Sequence, residues 1–463
     1  MRTIIARIGE YAANLRPDCL DPAVVEYAKC ILLDSLACAF GGVESEPARL
    51  VRRGISDLGG NPQATLIGWG GKANAQFAAL ANGVAIRYQD YNDVYFGPAW
   101  TAHPSDTIAT VLAAAEWRKR SGLEFLLGLI VAYEVQMRFA DLPVAQNLWH
   151  RGWHHTAACS YAAAAGAGRV LGLDAAKIGH AMALSGARSN TFSEIRHGNI
   201  PMDKALSAPI VASQAILYAL LAGNGFTGCE TLLEGPYGFA RVVAGGVDAE
   251  AFIPQYGDFR IMKVGLKPYP VEGMTPAMVQ AAISLRNEHG IKPGEIRSIR
   301  ILAHEEAVIK PSWDDRKHAP ENKETADHSF YFCTAVALVA GECTSEQFSG
   351  AWLRNPDVLR LMKLCTIEAI PDLTALFRKG ARPAAVEVRT PRGTFLCEVP
   401  YPKGDPANPM TWDDVARKFM KQSIHLLDKE MAEKIIDRTR QIDRDPDVSV
   451  LAGMLGARRG GPD

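Results

Sequence analysis

The stretch Asp203-Lys-Ala-Leu-Ser-Ala-Pro-Ile-Val-Ala-Ser-Gln-Ala-Ile-Leu-Tyr-Ala-Leu-Leu-Ala222 decides the fold class. From Leu206 to Leu221 it is apolar nearly all round, and Ser160 to Leu173 is its match. Helices of that kind are covered on most sides, as in a large bundle. Small residues on facing helices let the backbones approach closely. Working outward, residues 73–88, 104–120, 122–138, 155–171 and 174–187 read the same way, rich in Ala and Leu with glycine breaks. Asp21-Pro22 opens a further helix, with Asp as N-cap and Pro in the first turn. Val24, Ala28, Ile31, Leu32 and Leu36 keep its apolar side in helical register.

The texture changes at Leu266-Lys-Pro-Tyr-Pro270. One helix is expected at about 275–289, then a strand at Ile296–Leu302 with alternation and β-branching. A helix returns at 329–341. Residues 383–399 read as a hairpin turning at Pro391-Arg-Gly. Thr411 then caps a last helical pair, 412–422 and 426–440, and the tail from Arg458 is expected to fray. The expected class is mainly α: a discontinuous large helical domain, 1–267 plus 401–463, with a smaller inserted α+β lid at 268–400. Such a re-entrant chain makes a crevice at the boundary, a common place for small-molecule sites.

Composition narrows the partners. The chain has 463 residues, 50 Lys+Arg against 51 Asp+Glu, with 48% hydrophobic residues. That balance leaves no electrostatic footprint for nucleic acid or an anionic membrane. It is silent about a local cationic pocket. Nine cysteines without CxxC spacing argue against a disulfide framework or structural zinc. No signal peptide is read at the N-terminus. No uninterrupted apolar run approaches about 18 residues, so no membrane span is expected and the compartment reads as cytoplasmic.

Common cofactor motifs fail. Gly166-Ala-Gly168-Arg-Val-Leu-Gly172 has one residue too many for a dinucleotide fingerprint and no strand before it. Gly68-Trp-Gly-Gly-Lys72 is not a phosphate loop, and neither GxSxG nor HExxH occurs. The pair His154-His155 is a poor chelate, because helical neighbours point about 100° apart. No metal and no cofactor is expected.

What remains is charge inside apolar surroundings. Asp90-Tyr-Asn-Asp93 precedes His103-Pro-Ser-Asp106, where Pro104 opens a helix and places His103 at its N-terminal end. That end favours anions and lowers an imidazole pKa, which suits a neutral base. Read blandly, Ser105 or Asp106 is only a cap. Arg151-Gly-Trp-His154-His155-Thr also stands just before a long helix. Lys204 enters an apolar helix, where it either snorkels or supplies a fixed pocket charge. Lys267 stands between prolines at the boundary, and Asp327-His328-Ser329-Phe-Tyr331 opens a helix that Asp327 or Ser329 would cap. Two His, two Lys and an Asp suit proton abstraction beside a carboxylate, with cations holding the carboxylates and an acid for a departing hydroxide.

In this order the segments resemble the MmgE/PrpD family, and the resemblance runs from Leu33-Asp-Ser-Leu-Ala37 to Gly404-Asp-Pro-Ala-Asn-Pro-Met410. It implies a homodimer with a large helical domain and a small α+β lid. It also implies action on small polycarboxylates without an iron–sulfur cluster, as a 2-methylcitrate dehydratase-like hydro-lyase. An iminodisuccinate epimerase-like isomerase and a cis-aconitate decarboxylase-like enzyme are the alternatives. A catalytically silent dimeric scaffold is the alternative outside enzymes, and it would not need these groups in one pocket. Site residues carry over onto Asp90, His103, His154, Lys204 and Lys267, with His154 preferred over His155 in the Gly-aromatic-His-x-Thr pattern. Asp93, His155, His328 and Tyr331 are expected to meet substrate. Phe332 stands where many members have Tyr, so Tyr331 would have to take over. Val94, and three extra residues before His103, weigh against the decarboxylase.

Overall fold

The computed structural model describes residues 2–309 and 315–458. The tail expected to fray beyond Arg458 lies outside the described residues. The first half is helical: α1 (Ile4–Asn14), α2 (Pro22–Gly42), α3 (Glu46–Leu58), α4 (Ala75–Tyr88), α5 (Ile108–Trp117), α6 (Gly122–Ala140), α7 (Thr156–Val170), α8 (Ala175–Gly186) and α9 (Asp203–Gly223). Asp21 caps α2 by accepting from the Ala23 amide at 2.8 Å, with Pro22 in the first turn as expected. Helix α1, capped by Thr3, was not legible as a helix beforehand. Two short pairs, β1 (Ala64–Thr65) with β2 (Lys72–Ala73) and β3 (Tyr95–Phe96) with β4 (Thr101–Ala102), lie between helices.

Small residues set the helix spacing. Helices α6 and α7 pack so closely that a Cβ on Gly166 would come within 2.7 Å of the Gly128 carbonyl oxygen. The near-miss glycine motif is therefore a packing device inside a helix. The expectation of no membrane-length apolar helix needs correcting. Helix α9 is long and apolar enough by length and composition, because Ser, Gln and Pro interrupt the run without making it polar. That test also passes the core helices of soluble proteins: 61% of the apolar window is buried inside the protein, and α9 packs on α4, α7 and α8.

The buried apolar residues form two clusters. One gathers residues from Ile4 to Leu266 and again from Met410 to Leu455; the other runs from Val271 to Val399. The second contains the four-stranded sheet, ordered β6 (Cys365–Ala369), β5 (Ser298–Ala303), β7 (Ala384–Thr390), β8 (Gly393–Val399). Strands β7 and β8 are the expected hairpin, with Thr390 opposite Gly393. Strand β6 pairs parallel to β5 and was not foreseen. Helix Pro276–His289 packs on β7 and β8, and helix Phe330–Ala340 packs on that helix.

The chain then returns to the first cluster. Helix Trp412–Ser423, capped by Thr411 with Asp414 in a reciprocal box, packs along α2. There Lys418 donates to Asp34 at 2.6 Å and to the carbonyls of Tyr91 and Lys267 at 2.7 and 3.2 Å. One buried ammonium thus fixes two loops that reach the site.

Candidate active site

A cavity of about 640 Å³ opens between the two clusters. Trp100 and His103 line it from one side, Met274 and Phe330 from the other. Its polar wall includes Asp90, His103, His155, Arg196 and His328.

Asp90 follows the end of α4 with φ at 53°, a left-handed conformation that non-glycine residues rarely hold. Charges on every side hold it there. Arg87 donates to Oδ1 at 2.8 Å, and Lys267 meets Oδ1 at 3.2 Å and the Asp90 carbonyl at 2.8 Å. Lys204, from the first turn of α9, stands 3.5 Å from Oδ2. Burial alone would raise the carboxyl pKa, but Lys204, Lys267 and Arg87 together hold it well below the usual range.

Asp327 is the second centre. Lys204 lies 3.3 Å from Oδ1, Lys323 donates to Oδ2 at 2.7 Å, and His328 Nδ1 contacts Oδ1. Arg196 Nη2 stands 2.6 Å from His328 Nε2. A guanidinium only donates, so Nε2 accepts and the proton sits on Nδ1, facing Asp327. Burial, with Lys204 beside it, keeps His328 neutral well below its usual range. Ser329, rather than Asp327, caps the next helix by accepting from the Phe332 amide at 3.1 Å.

His103 sits before the turn Pro104–Thr107 that leads into α5, as its sequence position implied. The amide beside it is not free for an anion, however. Ser105 gives its N–H to Asp93 at 3.2 Å and its hydroxyl at 2.6 Å, and Tyr133 adds a third donor at 2.7 Å. Burial still pushes Asp93 up to about 7. His103 Nδ1 lies 2.6 Å from the Asp93 carbonyl, which can only accept. Nδ1 therefore carries the proton and Nε2 the lone pair. Burial, with Arg87 and Lys267 nearby, keeps this imidazole neutral.

The pair before α7 divides. His155 reaches the cavity wall, with its ring 5.3 Å from that of His103 and its Nε2 3.5 Å from Asp106. His154 is turned behind it, ring to ring at 4.1 Å, toward Trp149 and Thr156. Of the pair, His155 rather than the preferred His154 lies on this wall, because adjacent positions at the helix start point in different directions. Lys204 and Lys267 stand behind Asp90 rather than on the wall of this cavity, although Lys267 lines a neighbouring one of about 210 Å³.

Tyr331 does not take the place of the missing tyrosine on this wall. It is buried beside His318, while Phe330 faces the cavity and Phe332 packs on Phe348. Arg196, in the turn Ser193–Arg196 before α9, was missed in the sequence, where Ser-Glu-Ile-Arg-His reads as an ordinary polar loop. Asp90, Asp327 and His328 bring ligand atoms within 4.8 Å of one another. Lys204 already fills the position between the two carboxylates, and Arg196 occupies the His328 lone pair, so the donor set suits an ammonium better than a metal ion.

Family models for the MmgE/PrpD N-terminal and C-terminal domains match residues 6–251 and 269–443. The chain belongs to the MmgE/PrpD family. The second match runs past the sheet into helices that pack in the first cluster, so the family's two parts follow the chain rather than the two cores. The chain is 26% identical over 430 residues to the mitochondrial 2-methylcitrate dehydratase of Yarrowia lipolytica, covering 87% of this chain and 80% of that one. It is 26% identical over 429 residues to 2-methylcitrate dehydratase of Escherichia coli strain K12, covering 86% and 85%. It is 25% identical over 480 residues to cis-aconitate decarboxylase of Homo sapiens, covering 98% and 95%.

Proposed function

We propose that this protein is a hydro-lyase that dehydrates a small di- or tricarboxylate in the manner of 2-methylcitrate dehydratase. One observation carries the reading: His103, neutral and fixed through Nδ1, shares a cavity wall with Arg196, a guanidinium with no carboxylate within salt-bridge distance among the described residues. A base beside a cation for the adjacent carboxylate is what proton abstraction at that carbon requires.

In the proposed reaction Arg196 binds the carboxylate next to the acidic C–H. His103 Nε2 takes the proton, and the C–H electron pair forms the C=C bond. The C–O bond on the neighbouring carbon breaks, and the departing hydroxyl takes up the proton that His103 Nε2 has just collected, so water leaves and His103 returns to its neutral form. His155, which burial keeps neutral against the pull of Asp106, stands beside His103 on the same wall. Asp90 accepts the substrate hydroxyl's hydrogen bond beforehand. Lys204 and Lys267 act through Asp90, holding it charged and in its left-handed conformation. We also propose that the chain works as a homodimer, since α9 leaves Leu206, Ile210 and Leu217 along its outer side, Leu217 at 43% exposure.

The test is a screen of methylcitrate, citrate, cis-aconitate and iminodisuccinate, followed by NMR. Water loss from a hydroxy acid is expected. Release of CO₂ alone, or inversion alone, would assign the site to the decarboxylase or epimerase reaction instead.

A further inference from the structure

The cations around the site differ in one respect. Arg87, Lys204, Lys267 and Lys323 each have a carboxylate within salt-bridge distance. Arg382 has none among the described residues, although it is only 8% exposed. Its Nη1 donates to the carbonyls of Gly380 and Ala381 at 3.1 and 2.6 Å, and its Nε is buried without a partner. The guanidinium carbon lies 3.5 Å from the Phe96 ring centre and 4.6 Å from that of Phe377. Phe96 belongs to β3, Phe377 to helix Pro371–Arg378, and His304 stacks on Phe377 at 3.8 Å. Arg382 lines both the 640 Å³ cavity and the 210 Å³ one beside it.

A buried guanidinium without a counter-ion is costly, and aromatic faces offset only part of that cost. Burial lowers its pKa to about 10, against the pull of Asp405 and Glu272. The side chain is held by rings and carbonyls through Nη1, yet neither the buried Nε nor Nη2 has a hydrogen-bond partner among the described residues, and the residue lines both cavities. A planar carboxylate is the group that completes such a fork.

We propose that Arg382 is a second carboxylate anchor, which binds the carboxylate of the substrate remote from the carbon that loses its proton. This rests on the polycarboxylate reading above. Arg196 holds the near end and Arg382 the far end, so the cavity selects tricarboxylates over monocarboxylates.

The test is calorimetric titration of the full chain with propane-1,2,3-tricarboxylate, which has no hydroxyl to lose, and with 2-hydroxybutyrate. Arg382→Gln is expected to bind the tricarboxylate about 10- to 100-fold more weakly, the usual range for a lost charge-assisted hydrogen bond. Its affinity for the monocarboxylate should stay unchanged. Equal tricarboxylate affinity in both proteins overturns the proposal and leaves the functional reading intact. No tricarboxylate binding by the wild type removes that reading and the proposal with it. If Arg382→Gln does not fold, Arg382→Lys decides: it keeps the charge but loses the fork, so weaker tricarboxylate binding supports the anchor and unchanged binding overturns it.

Discussion

Around Asp90 and Asp327, four cations crowd two carboxylates, whereas along the open cavity Arg196 and Arg382 face no carboxylate within salt-bridge distance among the described residues. The first group is a scaffold: its cations are spent on its carboxylates, and it fixes Asp90, the one member that also reaches the cavity wall, in a conformation the backbone alone would not choose. The second group is a receptor, left incomplete until an anion arrives. Charge count alone does not separate the two. A lysine buried beside an aspartate positions, and an arginine buried beside phenylalanine rings binds.

Breaking the scaffold should have the largest effect. Asp90→Asn keeps a residue that tolerates the left-handed backbone but leaves Arg87, Lys204 and Lys267 without their shared charge. Leaving one partner of a buried ion pair uncompensated costs about 3–5 kcal/mol. The melting temperature should therefore fall sharply and turnover should be lost, read by calorimetry and product NMR. A variant of wild-type stability would dissolve the distinction between scaffold and receptor. Losing Arg382 is the intermediate case, with affinity reduced and the fold retained.

The smallest effect belongs to Asp93, which faces hydroxyls and an amide and has no cation within salt-bridge distance among the described residues. Its folded pKa of about 7 lies above the ordinary 3.8. The folded state therefore holds the proton more tightly, and the stability this gives is lost as pH rises from 3.8 through about 7. Asp93→Asn has no such proton to lose. Its melting temperature relative to wild type should climb by a few degrees between pH 4.5 and 8, which thermal melts at matched ionic strength would show. A flat difference would mean that Asp93 is ionised in the fold and belongs with the scaffold.

Much of the helical plan was legible, because all-round apolar segments such as α7 and α9 announce burial by composition alone. The caps Asp21 and Thr411 and the hairpin at β7–β8 were equally plain, each being a local signal. Strand β6 was not: Cys-Thr-Ile-Glu-Ala is short, lies at the sheet edge, and pairs with β5 more than sixty residues before it. Asp90, His103, Lys204 and Lys267 stood out as charges in apolar company, and the structure brings them into one connected cluster. Choosing between His154 and His155 needed a direction, which spacing does not carry. Arg196 and Arg382 sit in polar loops where arginine is unremarkable. Their meaning comes from partners they lack, and missing partners are visible only in three dimensions.

The central claim is that His103 removes a proton from carbon next to a carboxylate that Arg196 holds. The most direct measurement incubates wild type and His103→Gln in D₂O with the acid that the wild type converts, following that carbon-bound proton by NMR. The account predicts water loss or deuterium exchange with wild type. It predicts neither with His103→Gln, while that variant still binds propane-1,2,3-tricarboxylate with wild-type affinity. Exchange at the wild-type rate in His103→Gln would contradict it.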